Sequence, residues 1–205
     1  QNPAPSLIYQ EANTMIRALR DNLRLETEKI IVDEKKAYEQ LKTFISNIRP
    51  QLIDKIELND SSLPLFTQYD LEDKIKTIYE REIRLESGGA IIIDTTEALT
   101  AIDVNSASAT KADNIEDTAY RINLDAAEEA VRQIRLRDVG GIIIIDFIDM
   151  LSFGNRKLVE RKLKEKCRTD RARIQIGRIS NFGLLEMSRQ RLRESAIKWK
   201  VTLTD

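Results

Sequence analysis

Residues 140–146 read Gly-Gly-Ile-Ile-Ile-Ile-Asp, and this short stretch indicates the class of fold. A glycine pair is typical of the end of a helix, and four consecutive β-branched residues are typical of a strand buried on both faces. The preceding segment places apolar side chains at helical spacing, namely Ile115, Ala119, Ile122, Ala126, Ala130 and Ile134. We therefore predict a helix that leads into a buried strand ending at Asp146.

A second strand is predicted before that helix. Leu99–Asn105 is rich in β-forming residues, and a similar run, Ala90–Thr95, lies three residues upstream, which predicts an antiparallel hairpin. Asp113 followed by Glu116 resembles a capping box at the start of the helix. Because crossovers between parallel strands are right-handed, Leu99–Asn105 is predicted to lie parallel to, and beside, the strand that ends at Asp146.

The remaining segments complete an α/β pattern with a mixed sheet built on parallel β-α-β crossovers. Downstream, a helix over about 155–168 and a strand over 173–176 are predicted to repeat the crossover, and residues 183–193 are predicted to form a last helix. Upstream, the predicted elements are helices over 14–23, 34–48 and 69–84, strands over 29–32 and 55–58, and a polar turn over 59–64.

Composition excludes several classes of protein. No apolar run approaches the roughly 20 residues needed to cross a bilayer, so no membrane span is expected. The single cysteine, Cys167, can form neither an internal disulfide nor a multi-thiolate metal site, which favours a reducing compartment. The chain has no histidine, so its chemistry must use carboxylates, amides and cations. It begins at Gln1 without a signal pattern, and we expect a processed or truncated start.

Charge is unevenly distributed along the chain. The 33 Lys/Arg and 34 Asp/Glu residues give a net charge of −1, but residues 151–200 hold 15 Lys/Arg against 5 Asp/Glu. This asymmetry predicts a polyanionic partner.

Two groups of cations are candidates for contact with phosphate. One is a stripe at helical spacing: Lys157, Arg161, Lys164 and Arg168. The other follows it: Arg171, Arg189 and Arg191. Charge runs on helices are also typical of solvated faces, and Glu160 and Glu165 are close enough in sequence to pair with the stripe, so both interpretations stay open for it.

Two aspartates end the two predicted parallel strands. Neighbouring strands lie ~4.8 Å apart, and ligands bind at the carboxyl ends of such strands, so Asp103 and Asp146 can share one hard cation. The two-residue period of a strand places Asn105 on the same face as Asp103. Mg²⁺ suits this sparse donor set, because it completes its shell with water and phosphate, and it supports phosphodiester hydrolysis. Alternatively these acids cap helices, pair with arginines or face water, and Asp94 and Asp149 also end β-like runs.

Four stretches resemble the catalytic region of the RNase E/G family of bacterial and plastid endoribonucleases. They are residues 88–106 (GGAIIIDTTEALTAIDVNS), 135–150 (RLRDVGGIIIIDFIDM), 170–176 (DRARIQI) and 182–191 (FGLLEMSRQR). The resemblance implies a DNase I-like catalytic subdomain over 80–195, preceded by part of an RNase H-like subdomain over 1–79. Residues 196–205 depart from the family pattern as a divergent tail.

The resemblance also implies roles for individual residues. Asp103 and Asp146 correspond to the family's Mg²⁺ ligands, Asn105 to a residue that assists at the scissile phosphate, and Arg173 to an arginine that senses a 5′-monophosphate on RNA. The implied reaction is Mg²⁺-dependent hydrolysis of single-stranded RNA to 5′-phosphate and 3′-hydroxyl ends, in a bacterial cytoplasm or a plastid stroma. No residues match the family's zinc link between subunits, so we expect no zinc site, and any homo-oligomer is expected to form without that link.

A second class of function stays open at this point. The chain is also consistent with a non-catalytic RNA-binding or assembly module that uses its basic region. Binding of RNA that depends on salt, without Mg²⁺-dependent cleavage, would distinguish such a module from an enzyme.

Overall fold

The computed structural model describes residues 14–106 and 115–192, and the chain divides into two compact units, residues 1–72 and 73–205. Each unit combines helices with a β-sheet, which confirms the predicted α/β class. Across the described residues, no helix is both long enough and apolar enough to span a membrane.

The first unit is built on one β-α-β step. After α1 (Thr14–Asn22), the chain passes through β1 (Ile30–Val32), α2 (Lys35–Ile48), a 3₁₀ helix (Pro50–Lys55) and β2 (Ile56–Leu58). The two strands pair in parallel, with Ile30 opposite Ile56. Among the described residues of this unit, the buried apolar side chains are Val32, Leu41, Ile45, Leu52 and Ile56. These elements confirm the two helices and two strands predicted between residues 14 and 58.

The helix predicted over residues 69–84 is confirmed only in its first part. After a short helix, α3 (Leu65–Gln68), the structure has α4 (Leu71–Lys76) and a 3₁₀ turn (Thr77–Tyr79), and then strand β3 (Glu82–Arg84) where the helix was predicted to continue. Asp70 adopts a left-handed φ of 51°, which interrupts helical geometry. Ile83 pairs with Ile91 of the next strand, so its side chain follows the period of a sheet rather than that of a helix.

A six-stranded mixed sheet organises the second unit, in the order β3-β4-β5-β6-β8-β7. Its further strands are β4 (Ala90–Thr95), β5 (Leu99–Asn105), β6 (Gly141–Asp146), β7 (Ile174–Ile179) and β8 (Leu184–Arg189). The antiparallel β4–β5 hairpin and the parallel β5–β6 pair confirm the central prediction.

Two helices cover one face of this sheet. α5 (Ile115–Leu136) crosses from β5 to β6, and α6 (Phe153–Cys167) leads from β6 to β7. The core between helices and sheet includes these side chains, each at most 1% exposed: Ile91, Ile102, Ile122, Ile134, Ile143, Ile145 and Leu163. On the opposite face Ile142 is 54% exposed, and we call this the open face of the sheet. The predicted capping residue Asp113 lies outside the described residues.

The last predicted helix, over residues 183–193, is also wrong, because most of this segment is strand β8. Leu185, Met187 and Arg189 are buried, whereas Leu184 and Glu186 are exposed, which is the alternation of a strand. β8 pairs with β6 on one side and β7 on the other. The predicted second crossover therefore leads to β7, which runs parallel to β6. The two strands are not neighbours, however, because β8 lies between them.

A buried ion-pair network surrounds the end of β8. The Arg189 side chain is 2% exposed and donates hydrogen bonds to Asp170 at 2.8 Å, to Asp138 at 2.7 Å and to the Val139 carbonyl at 2.8 Å. Burial alone would raise the pKa of Asp170, but hydrogen bonds from Arg189 and from the Ala172 N–H outweigh it and hold that pKa below its usual value. A cation so enclosed contradicts the prediction that Arg189 contacts an RNA backbone.

Removing the Asp170 charge is expected to weaken the fold and to change its response to acid. A carboxyl group whose pKa is lowered by folding stabilises the folded state above its unfolded pKa, near 3.8, and this stabilisation is lost as pH falls through the folded value. Asp170→Asn should cost about 3 kcal/mol near neutral pH, because it leaves a buried cation short of a partner.

Urea unfolding at a series of pH values checks both effects. Between about pH 5 and pH 3, the free energy of unfolding should fall less steeply for Asp170→Asn than for the parent chain. Asp73→Asn is the matched control, because Asp73 pairs with Lys76 at an exposed site where ion pairs contribute little. Parallel pH profiles for the parent chain and Asp170→Asn would contradict the assignment.

Candidate active site

Asp103 and Asp146 are direct partners across the parallel β5–β6 pair. Each is the last residue of its strand in that ladder, which begins at Leu99 opposite Ile142. Because neighbouring strands are ~4.8 Å apart, the two carboxylates start from backbone positions that can serve one cation.

Both aspartates lie on the open face of the sheet. Ile102 and Val104, which flank Asp103 along β5, are 1% and 5% exposed, so they point into the core and Asp103 points away from it. Ile145 is fully buried, which places the neighbouring Asp146 on the same side as Asp103. The alternation predicted for β5 is therefore confirmed.

Asn105 extends the polar edge beyond the aspartate pair. It lies two residues after Asp103 on the same face of β5 and pairs with Ala90 of β4. Behind it, Gly89 allows close packing, because a Cβ at Gly89 would lie 2.8 Å from the Asn105 carbonyl oxygen and 2.5 Å from a methyl carbon of Ile122. The backbone at Asn105 is thus closely packed, which fixes the position from which the amide side chain extends.

The electrostatics of the pair favour a bound cation. Burial raises the pKa of Asp146 above its usual value, and the negative charges of Asp103 and Asp149 raise it further. A divalent cation between these carboxylates would offset their repulsion, and carboxylate and amide oxygens are ligands that suit Mg²⁺. The donor set therefore fits a hard cation that keeps most of its water.

The site is sparse in protein ligands. Within residues 14–106 and 115–192, no group of three or more histidine, cysteine, aspartate or glutamate side chains is arranged to hold a metal ion. One or two carboxylates are the usual protein contribution to Mg²⁺ when a phosphate completes the shell. Two aspartates beside an amide match that pattern.

Helix α5 anchors the loop that follows Asp146. Asn123, which is fully buried, donates to the Ile148 carbonyl at 2.8 Å and accepts from the Ile148 N–H at 3.0 Å. Glu116 accepts from the N–H groups of Leu151 and Ser152, and these bonds lower its pKa. The loop is thus held at two points by the helix that connects the two aspartate strands.

Gly183 brings the β7–β8 turn close to the aspartate edge. Its φ is +78°, and its carbonyl accepts the Phe147 N–H at 3.2 Å. A Cβ at this position would meet the Phe147 carbonyl at 2.7 Å, and it would lie 3.5 Å from Asp149 Oδ1 and 3.7 Å from Asp146 Oδ1. The bare glycine leaves room beside both carboxylates.

The structure separates the two alternative aspartates. Asp94 is bound to Arg81 by two hydrogen bonds, at 2.6 and 2.7 Å, which lower its pKa and occupy both of its oxygens. Asp149, in contrast, is exposed and lies close enough to Asp146 to raise its pKa. Asp149 therefore contributes negative potential to the candidate site, whereas Asp94 is engaged in an ion pair.

Arg173 lies away from the aspartate pair. It precedes Ile174, which shares a row of the sheet with Arg189 and Gly141, at the opposite end of the strands from Asp146. Five residues along a strand and two strand spacings separate these positions by roughly 20 Å. Arg171 and Arg191 are exposed near the same end of the sheet. The structure therefore places Arg173 well apart from the two aspartates.

Three supporting residues were missed by the sequence analysis: Glu116, Asn123 and Gly183. Asn123 could have been found from the sequence, because it lies four residues after Ala119 and three before Ala126. This spacing places a polar side chain on the buried face of α5. Glu116 was interpreted as part of a cap, although its carboxylate bonds to the loop after β6. Gly183 was assigned to a helix, so its role in a turn was hidden.

Substitution of Gly183 is expected to disturb the site. Gly183→Ala places a Cβ at 2.7 Å from a backbone oxygen in a left-handed conformation, and we expect a loss of about 2–4 kcal/mol in the free energy of unfolding, together with weaker cation binding. Gly154→Ala is the control, because its Cβ has ordinary contacts in α6 and should leave stability unchanged or raise it by up to ~1 kcal/mol. Chemical denaturation of both variants tests this, and equal stabilities would refute it.

Comparison with known proteins places the chain in a family. The model of the "Ribonuclease E/G family" matches residues 1–192. Ribonuclease E of Haemophilus influenzae is 51% identical over 193 residues, covering 94% of this chain and 21% of the relative. Ribonuclease E of Escherichia coli is 53% identical over 194 residues, covering 94% of this chain and 18% of the relative.

Ribonuclease G of Escherichia coli is more distant, at 39% identity over 188 residues, covering 92% of this chain and 38% of the relative. The chain thus spans about a fifth of the length of the two ribonuclease E relatives that it matches. A match over nearly every residue, together with identities of this size, establishes that the chain belongs to the Ribonuclease E/G family.

Proposed function

We propose that this chain carries the hydrolytic centre of a Mg²⁺-dependent endoribonuclease that cuts single-stranded RNA. The observation that carries the proposal is the in-register pair of Asp103 and Asp146 on adjacent parallel strands, in a chain whose relatives are named ribonucleases. We assign the protein to RNA processing and decay, in a bacterial cytoplasm or a plastid stroma.

Asp103 and Asp146 would hold the metal ion. When bound, Mg²⁺ would polarise the scissile phosphate and lower the pKa of a coordinated water. The Asn105 side chain carries an N–H₂ donor on the same face, suited to a non-bridging phosphate oxygen or to orienting the attacking water. Asp149 adds negative charge beside Asp146, which strengthens attraction for a cation.

The reaction that fits these groups is attack of water on phosphorus with loss of the 3′ oxygen. The P–O3′ bond breaks, a new P–O bond forms from water, and the departing oxygen takes a proton. One product therefore ends in a 3′-hydroxyl and the other begins with a 5′-phosphate. This chain has no histidine, so among its own groups at the candidate site we assign the proton transfer to carboxylates and water.

Neutralising either aspartate is expected to abolish most activity. Asp103→Asn and Asp146→Asn should each weaken binding of Mn²⁺, a paramagnetic substitute for Mg²⁺, by at least about 10-fold. Each should also slow cleavage of a single-stranded RNA by about 10²–10³-fold, because several kcal/mol of transition-state stabilisation depend on the metal. Electron paramagnetic resonance measures the binding, and a labelled RNA measures the cleavage, in the protein as expressed from its gene.

Asp94→Asn is the control for these variants. It removes the same charge from the neighbouring strand β4, but its carboxylate pairs with Arg81, so Mn²⁺ binding and cleavage should stay within about 2-fold of the parent protein. Cleavage that survives Asp103→Asn or Asp146→Asn, or that is lost in Asp94→Asn alone, would contradict the assignment of the site.

We further propose that Arg173 contacts the 5′-monophosphate of the RNA. Its side chain is exposed beside strand β7, where a guanidinium can form two hydrogen bonds to a phosphate. Its separation from the aspartates lets one RNA reach both places only through an intervening stretch of nucleotides.

Arg173→Gln should remove the advantage of a 5′-monophosphate. We expect cleavage of 5′-monophosphorylated RNA to fall about 10-fold, towards the rate for 5′-hydroxyl RNA, since a charged hydrogen bond contributes roughly 1.5–3 kcal/mol. Arg178→Gln, an exposed change on the same strand, should leave the ratio of the two rates unaltered. The measurement is that ratio, and equal loss on both RNAs would contradict a 5′-phosphate contact.

A non-catalytic RNA-binding or assembly module is the second candidate function. It is favoured by the excess of 15 Lys/Arg over 5 Asp/Glu in residues 151–200. Salt-sensitive RNA binding by the parent protein, without cleavage at any Mg²⁺ concentration, would support this module and overturn the enzyme.

A further inference from the structure

Most basic residues of helix α6 fall into two groups. Lys162 and Lys166 form the inner pair, and both bond to Glu128 of α5, Lys162 at 2.9 Å. Three others in the helix and the arginine just after its end form what we call the outer stripe: Lys157, Arg161, Lys164 and Arg168. At 100° per residue, all four lie within about 60° of one another around the helix, over a length of about 16 Å. Arg156 belongs to neither group and donates to the Met150 carbonyl at 2.8 Å.

The outer stripe faces solvent. Arg161, Lys164 and Arg168 are exposed, and the Lys157 side chain is 41% exposed. The same residues line a shallow groove of about 650 Å³ together with Leu158, Glu160 and Glu165. The buried side of α6 is formed by Val159, Leu163 and Cys167, so the groove lies on the outer surface of the helix.

The acids nearest to the stripe leave it largely unpaired. Glu160 is buried and accepts the Ile179 N–H at 2.9 Å, which turns its carboxylate inward, and it reaches Lys157 only at 3.6 Å. Elsewhere in the part of the chain that the structure describes, no acidic side chain lies within ion-pair distance of Arg161, Lys164 or Arg168. Glu165 lines the groove without such a contact.

Unpaired like charges along one stripe are unfavourable unless something offsets them. Neighbours three and four residues apart on a helix repel when they carry the same charge. A ligand with regularly spaced negative charges would remove this repulsion and release counterions on binding. The inner pair shows that α6 also contains lysines that share a carboxylate partner, Glu128, so the lack of such partners along the outer stripe is not a consequence of composition alone.

We propose that the outer stripe of α6 binds the phosphate backbone of RNA, as a second contact surface separate from the candidate active site. α6 covers the helix side of the sheet, whereas Asp103 and Asp146 lie on its open face. The side chains of the stripe and of its groove are cationic, acidic or aliphatic. We therefore expect contacts to phosphates, which do not depend on the base sequence of the RNA. The proposal rests on the proposed function in taking RNA as the polyanion.

The salt dependence of RNA binding tests the stripe directly. The triple variant Arg161→Gln, Lys164→Gln, Arg168→Gln, in the protein as expressed from its gene, should bind a single-stranded RNA about 10-fold more weakly near physiological salt. The slope of log K against log salt should become shallower by about 2, because each lost phosphate contact removes ~0.7. Fluorescence anisotropy in EDTA measures binding without cleavage.

The double variant Lys162→Gln, Lys166→Gln is the matched control. It removes nearby charges from the same helix, but those charges are bound to Glu128, so the slope should change by less than about 0.7. Glu165→Gln should strengthen binding, because it removes the acid from the groove. If the triple variant proves unfolded by circular dichroism, Arg161→Gln alone decides, with an expected change in slope of ~0.7.

The outcomes separate this inference from the proposed function. A parent protein that cleaves RNA while the triple variant keeps the parent slope would overturn the stripe and leave the enzyme intact. Equal losses in the triple variant and in the Lys162/Lys166 control would also overturn it, since they would indicate a general effect of charge. A parent protein that binds no RNA would overturn the proposed function itself.

Discussion

The candidate site depends on one constraint, the register between the parallel strands β5 and β6. A slip of one residue would place Asp103 opposite Ile145 and turn every side chain of one strand to the other face. Such a slip is costly, because it would expose buried residues such as Ile102 and Ile143, at about 1.5–3 kcal/mol each. The apolar core therefore holds two like charges together at the sheet edge, where they would otherwise repel.

Helix α5 serves both the register and the site. Its apolar face covers the strands, and its polar residues Asn123 and Glu116 reach the loop after Asp146. Because α5 contacts both the strands and this loop, it holds the carboxylates of Asp103 and Asp146 at a fixed position relative to the loop that carries Asp149. Preorganisation of this kind matters at a metal site with few protein ligands, since the protein cannot correct a misplaced donor with additional ones.

The sequence predicted the elements whose pattern and pairing are local. The β4–β5 hairpin and the β5-α5-β6 crossover follow from alternation, short links and a continuous apolar run. Strands β3 and β8 were missed because their residues favour helices, and their identity as strands comes from pairing with β4 in one case and with β6 and β7 in the other. Tertiary pairing overrides propensity most easily in such short segments, since each contributes only a few residues of intrinsic preference.

The sequence also does not predict which charged residues are exposed and which are buried in ion pairs. Arg189 and Arg161 are alike in sequence, both within the basic region, yet Arg189 is enclosed by Asp138 and Asp170, which lie 51 and 19 residues away. The meeting of two strand-end aspartates was predictable because a crossover fixes where parallel strands end, but the choice of Asp103 and Asp146 over Asp94 and Asp149 rested on the family resemblance. Whether a cation is exposed, balanced or buried depends on partners that fold beside it, as Glu128 does for Lys162 and Lys166. A basic sequence therefore indicates that a polyanion is attracted, and the folded arrangement decides which cations are left to bind it.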